Sequence, residues 1–222
     1  MLKIVTKYFN LHPFDVAIDE AKRIQKNLAK RIVLKKIEQE VVSVAGVDVA
    51  FRDEYGCCAI VVLNFPELKV VEEVKLKTKV GFPYIPGFLS FREGPCILEA
   101  IKGLKSEPNL FLFDGQGIAH PRKMGLATHI GILLDKPSIG CAKSHLFGDF
   151  GKIDKKKGSF CFIKKNKEAI GIVLRTRDNV APVFASPGYK ITLEETKEFI
   201  LKLSLKFRIP EPLRLAHSLS IK

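Results

Sequence analysis

Residues 41–80, VVSVAGVDVAFRDEYGCCAIVVLNFPELKVVEEVKLKTKV, decide the fold. Three β-branched runs, at 41–51, 57–65 and 69–80, are separated only by RDEYG and PEL. Connections this short join antiparallel neighbours, so the runs predict a three-stranded meander. Beyond residue 80 the pattern changes. FLSFREGPCILEAIKGL (88–104) reads as a helix interrupted by Gly94-Pro95, which should kink it, and NLFLFDG (109–115) reads as a short buried strand. MGLATHIGILLD (124–135) reads as a helix and PSIGCAKS (137–144) as a further strand. Helix–strand alternation makes these later strands parallel.

Three antiparallel strands followed by parallel ones, flanked by helices, is the order of an RNase H-like mixed α/β sheet. Residues 15–33 carry a helical stripe at Ile18, Ala21, Ile24 and Leu28 with a basic outer face. Residues 158–177 read as a hairpin turning at KKNKE, and 192–205 as a helix opened by a Thr192–Glu195 capping box. PEPLRLAHSLSIK reads as a last helix, and GDFGKIDKKKGS (148–159) as the best candidate for a flexible loop. No repeat or boundary divides the chain, so one domain is expected over 1–222.

Composition narrows the partners. The 222 residues are 46% hydrophobic, with 37 Lys+Arg against 24 Asp+Glu, a formal net charge of +13. Such a field favours polyanions, nucleic acid before an anionic membrane surface, although a merely basic soluble protein has the same balance. The five cysteines, Cys57, Cys58, Cys96, Cys141 and Cys161, show no CxxC or zinc spacing. Reduced thiols in a cytoplasmic protein are the expectation. No leader-like run or membrane-length apolar stretch stands out, so no membrane partner is expected.

Three acids fall on three successive elements. Asp48 lies mid-strand between the small i±2 neighbours Gly46 and Ala50. Asp114 ends an apolar strand just before Gly115, where open α/β sheets often carry catalytic groups. Glu93 shares a helical stripe with Leu89, Ile97, Ile101 and Leu104. Singly, each has a plain reading: a solvated strand Asp, a turn-forming Asp-Gly, a helix-surface Glu. Together they bring three carboxylates to one sheet edge, where a hard divalent cation relieves their repulsion and activates water against a phosphodiester. Basic charge with an acidic metal site points to a nuclease.

The stretches VAGVDVAF, FPYIPGFLSFREGP, FDGQGIAHPRKMGLATHIG, SIGCAKS and RIPEPLRLAHSLS together resemble the endonuclease V family, in the family's order from about residue 10 onward. The resemblance implies that Asp48, Glu93 and Asp114 are catalytic acids and ligands for Mg²⁺, with Mn²⁺ as a substitute. It implies that His217 completes the active site, as a base or a phosphate contact, and that Lys143 stabilises charge at the scissile phosphate. Pro83, Tyr84, Ile85 and Pro86 match the family's wedge, in which prolines stiffen the loop that presents an aromatic ring to the bases. Gly87, Gly115 and Gly117 would let backbone groups read an extruded hypoxanthine. Arg92, His120, Arg122 and Lys123 are candidate phosphate contacts. By residue type alone, Tyr84 could simply be packed into a turn, and the glycines could serve turns only.

The activity implied is cleavage of DNA at the second phosphodiester 3′ to deoxyinosine, by a monomer, leaving 3′-hydroxyl and 5′-phosphate ends with the lesion in place. Inosine-containing RNA is the alternative substrate, because pocket motifs do not read the 2′-hydroxyl. A non-catalytic nucleic-acid-binding module is the alternative of another class, and the three intact acids argue against it.

Overall fold

The computed structural model describes residues 11–222; the first ten, included in the expected single domain, lie outside the described residues. The predicted meander is present as β1 (Ser43–Arg52), β2 (Tyr55–Asn64) and β3 (Val70–Lys79). Both pairings are antiparallel, with Asp48 opposite Ala59 and Ala59 opposite Lys75. A helix precedes the meander, α1 (Ile18–Ala29), and α2 (Leu89–Ile101) follows it, running through Pro95.

The alternating segment forms β4 (Leu110–Phe113), α3 (Leu126–Leu134) and β5 (Ser138–Ala142). β4 lies parallel to β1 with Val47 beside Phe113, and β5 lies parallel to β4. The hairpin is β6 (Phe160–Lys165) and β7 (Glu168–Leu174), turning through Asn166 and Lys167 at φ 49° and 69°. Two successive left-handed residues twist a tight hairpin in the sense its strands require.

A strand without an obvious sequence signal joins the two halves. β8 (Val183–Tyr189) pairs antiparallel with both β5 and β7, giving one eight-stranded mixed sheet in the order β3-β2-β1-β4-β5-β8-β7-β6. VFASPGY carries Ser, Pro and Gly where a strand favours β-branched residues. Its register against β5 shifts next to the Ile139–Pro187 pair, the kind of irregularity at which a sheet tolerates proline.

α4 (Leu193–Leu203) opens on the predicted capping box, both reciprocal bonds present, and α5 (Glu211–Ser220) follows. Helices cover both faces. Val47, Ile60 and Phe113 pack with Ile97, Ile101 and Ile130 of α2 and α3. Val44, Leu112 and Ile139 pack with Ile200, Leu203 and Leu213 of α4 and α5. The 148–159 stretch is tied rather than loose: Asp149 and Lys164 exchange backbone hydrogen bonds of 2.8 Å, and Gly158 N–H donates to Arg175 O at 2.8 Å. Among the described residues no helix is long and apolar enough to cross a membrane.

Candidate active site

The parallel register places the acids. Val47 lies beside Phe113, and Asp114 N–H donates to Val47 O at 3.2 Å, so Asp48 and Asp114 leave adjacent strands at the same edge. β5 ends at Ala142, and Lys143 follows it to that edge. Lys143 Nζ donates to Asp114 Oδ2 at 2.8 Å. Burial raises the Asp114 carboxyl above its usual range even against the pull of Lys143. Burial would lower the Lys143 ammonium, but the bond to Asp114 and its charge outweigh it, and the ammonium is raised. The two shifts do not mirror each other because Asp114 is much the more enclosed partner.

α5 completes the surroundings of Asp48. Ser220 Oγ–H donates to Asp48 Oδ2 at 2.6 Å, and His217 Nδ1 lies 3.2 Å from the same oxygen. The His217 side chain is 49% exposed, so its other nitrogen faces outward. Gly46 permits this approach: a Cβ there would stand 2.2 Å from the Pro212 carbonyl. The small i−2 neighbour of Asp48 therefore makes room for a helix. Nothing in the sequence marked Ser220, since a serine in the last turn of a helix is ordinary.

Glu93 is 7% exposed on α2. Its carboxyl is pushed well above the ordinary range, first by burial and then by the charges of Asp48 and Asp114. The three acids therefore sense one another, as their clustering predicts. Among the described residues, no three His, Cys, Asp or Glu side chains are arranged to hold an ion by themselves. The donors of the three acids still suit Mg²⁺, a hard cation that takes oxygen ligands. It is usually held by one or two carboxylates together with waters and substrate phosphate oxygens. Asp48 and Asp114, at one edge with all-oxygen side chains, fit that mode.

Beside the acids opens a pocket of about 300 Å³, lined by Gly87, Asp114, Gly115, Gln116, His120 and Lys143 among others. Gln116 Nε2–H donates to Ser144 O at 3.2 Å, while its Oε1 is buried without a hydrogen-bond partner. An unpaired buried acceptor is costly, and Gln116 Oε1 is closed to solvent in this structure. Gly87 has φ +83° and its carbonyl gathers three donors: Gln25 Nε2 at 3.0 Å, His120 Nε2 at 3.0 Å and Arg122 Nη2 at 2.7 Å. Gln25, fully buried on α1, is a positioning residue that the sequence did not single out.

Several of the residues singled out in the sequence already have partners within the protein. Gly117 does not line the pocket; a Cβ there would stand 2.0 Å from Pro187 O, and its N–H donates to Ser186 Oγ at 2.8 Å. It is bare so that the turn can press onto β8. His120 is 2% exposed, with Nε2 on Gly87 O and Nδ1 accepting from Arg122 N at 3.1 Å, so neither nitrogen is left for a phosphate. Burial, then the charge of Arg122, lowers its pKa to about 4. Arg122 also donates Nε–H to Gln25 Oε1 and lies 4.4 Å over the Phe88 ring. Arg92 donates to Phe82 O at 2.8 Å and lies 4.3 Å over Phe51. Lys123 is paired with Glu168 at 2.6 Å. Of the four, His120 lines the pocket, and Arg92, Arg122 and Lys123 make these contacts beside it. Tyr84, by contrast, is 70% exposed between Pro83 and Pro86.

Comparison with known proteins places the chain among endonuclease V sequences and structures. The sequence profile of endonuclease V matches residues 26–218. Endonuclease V of Dictyoglomus thermophilum is 49% identical over 217 residues, 98% of this chain and 93% of the relative. The crystal structure of endonuclease V from Bacillus subtilis superposes with a TM-score of 0.91 at 37% identity, over 97% of this chain and 95% of the other. Endonuclease V of Ciona intestinalis, crystallised with a 24mer DNA containing an inosine followed by a ribo-adenosine, gives 0.81 at 28% identity, over 92% and 96%.

Proposed function

The chain belongs to the endonuclease V family, and on that premise we propose that it hydrolyses inosine-containing DNA at the second phosphodiester 3′ to the lesion, with Mg²⁺. The observation that carries the reading is the adjacency of the Asp48–Asp114 edge to the pocket at Gly115 and Gln116. Cutting and base recognition then share one wall. One catalytic domain, acting as a monomer in the cytoplasm, is part of the same proposal.

Asp48 and Asp114 would hold the cation, and Glu93 stands behind them. When bound there, a hard divalent ion supplies Lewis acidity, neutralising phosphate charge and easing loss of a proton from water. Ser220 and His217 fix the direction of the Asp48 carboxylate. Lys143, still half-exposed beside Asp114, can reach a phosphate oxygen and stabilise the charge that grows on it in the transition state. The outward nitrogen of His217 can hold or pass a proton at the cut edge. Tyr84 would fill the gap an extruded base leaves, on a loop whose prolines already limit its freedom.

A labelled duplex with one inosine, run beside its adenine twin, tests this. The expected result is one nick two bonds 3′ to the inosine, with 3′-hydroxyl and 5′-phosphate ends, that appears with Mg²⁺ and stops with EDTA. Equal cutting of the adenine duplex, or cutting in EDTA, rejects the reading. An inosine-containing RNA belongs in the same assay, because the Ciona relative's complex carries a ribonucleotide directly after the inosine.

A further inference from the structure

The meander continues past the active-site edge. β4 pairs with β1 only as far as Val47, so Asp48–Arg52 and the strands beside it overhang that edge. On the face shared with Asp48, the register brings together Ala50 and Arg52 of β1, Tyr55 and Cys57 of β2, and Lys75 and Lys77 of β3. With Ser220 and Lys222 at the end of α5 they line a cavity of about 450 Å³. Ser220 is also the residue bonded to Asp48. The cavity thus shares Ser220 with the surroundings of Asp48, on the side of β1 away from β4 and the base pocket.

Its chemistry suits a polyanion with rings. Lys75 and Lys77 point outward from alternate positions of β3 and are exposed. Alternate residues of a strand stand roughly 7 Å apart, a step that a nucleic-acid backbone can follow. Among the described residues, neither lysine, nor Arg52, nor Lys222 is ion-paired with a carboxylate, whereas the next lysine, Lys79, is held by Glu54 at 3.0 Å. Tyr55 is 43% exposed, with Lys77 Nζ 4.5 Å from its ring centroid. An aromatic ring beside unpaired cations is the common make-up of single-strand grooves.

We propose that this face is a second nucleic-acid subsite, holding the strand on the 3′ side of the cut. The direction rests on the function proposed above. If the lesion base sits in the Gly115 pocket and the cut at the Asp48–Asp114 edge lies 3′ to it, a strand that continues in line past Asp48 meets this surface next. Lys75, Lys77 and Arg52 would take phosphates, and Tyr55 would take a base.

The test is binding in EDTA, so that it stands whether or not cleavage occurs. Two inosine duplexes are compared, one whose inosine strand continues about ten unpaired nucleotides beyond the cut on its 3′ side, the other ending just past the cut. The wild type should bind the long duplex about 10-fold more tightly. Lys75→Ala/Lys77→Ala should lose most of that difference, and its salt slope on the long duplex should fall by about two, one per phosphate contact. Tyr55→Ala should lose part of the difference without changing the slope. Lys79→Ala serves as the control, since its charge is already paired. Equal binding of the two duplexes by wild type overturns the subsite. So does a double variant that keeps the full difference; lysines that only guard an edge strand against other chains would behave that way. Cleavage of the short duplex with Mg²⁺, run separately, reports on the proposed function and not on the subsite.

Discussion

The Asp48 carboxylate is aimed by a single serine. Ser220 Oγ holds the oxygen that His217 also approaches, and Ser220 is itself buried. Groups that orient a metal-binding carboxylate typically matter 10–100-fold in metal affinity or rate. Ser220→Ala should therefore raise the Mg²⁺ concentration needed for half-maximal cutting by about that factor and leave duplex binding in EDTA unchanged; an unchanged metal requirement removes Ser220 from this role. His120 makes a different prediction. Its folded pKa, about 4, lies below the 6.5 of a free imidazole, so the unfolded chain binds the extra proton first as pH falls. The stability contributed by neutral His120 is complete above pH 6.5 and is lost on going down toward pH 4, on the order of 3 kcal/mol in all. His129, fully buried and likewise lowered, acts in the same direction. His120→Gln keeps a donor for Gly87 O and should show a shallower fall in Tm between pH 7 and 5 than wild type. Parallel curves would show that His120 does not carry the effect. Tyr84, exposed on its proline-bounded loop, should behave as a stacking platform: Tyr84→Ala should cost about 1–3 kcal/mol in the preference for inosine over adenine duplex, and Tyr84→Phe almost nothing. A variant that melts earlier but keeps its preference identifies a packing tyrosine instead.

Elements, more than single residues, decide where α5 can sit. Its first turn rests on the bare face of β1 at Gly46, where an added Cβ would lie 2.2 Å from backbone atoms of Pro212. Backbone cannot swing aside as a side chain can. Gly46→Ala should therefore lift the start of α5, draw Ser220 and His217 away from Asp48, and reduce both Tm and cutting; full activity in this variant would mean that α5 can shift without cost. The meander, the parallel pair and the α4 capping box were legible because each rests on a local rule: short connections, alternation, and a Thr192–Glu195 spacing. The acids were legible because charge on an otherwise apolar element stands out. β8 was hidden because Pro187 and Gly188 look like a loop until a central sheet position accommodates them. The roles of Arg92, His120, Arg122 and Lys123 were hidden for another reason. Residue type tells that donors exist, but only the fold tells that Phe82 O, Gly87 O, Gln25 and Glu168 already receive them. Gly117 illustrates the same limit, since close approach to a ligand and close approach to β8 ask for the same residue.

At the scale of the molecule, the candidate site is assembled from distant parts of the chain. Asp48 meets Ser220 across 172 positions and His217 across 169. The β1–β2 hairpin, by contrast, closes over a short turn within the chain's first third. Contacts of such unequal span form on different clocks, because long-range closure must be met before its contacts reward it. A hairpin takes microseconds in isolation, while docking of remote elements is slower by orders of magnitude. The sheet can thus exist for a time with the Asp48 face of β1 uncovered and no helix to aim the carboxylate. During refolding from denaturant, the far-ultraviolet circular dichroism of the strands should return ahead of the ability to nick inosine DNA. Superimposable time courses would mean instead that α5 and the sheet arrive together. If the two separate, the freshly made molecule passes through an interval in which it is folded by its spectrum and harmless to its substrate.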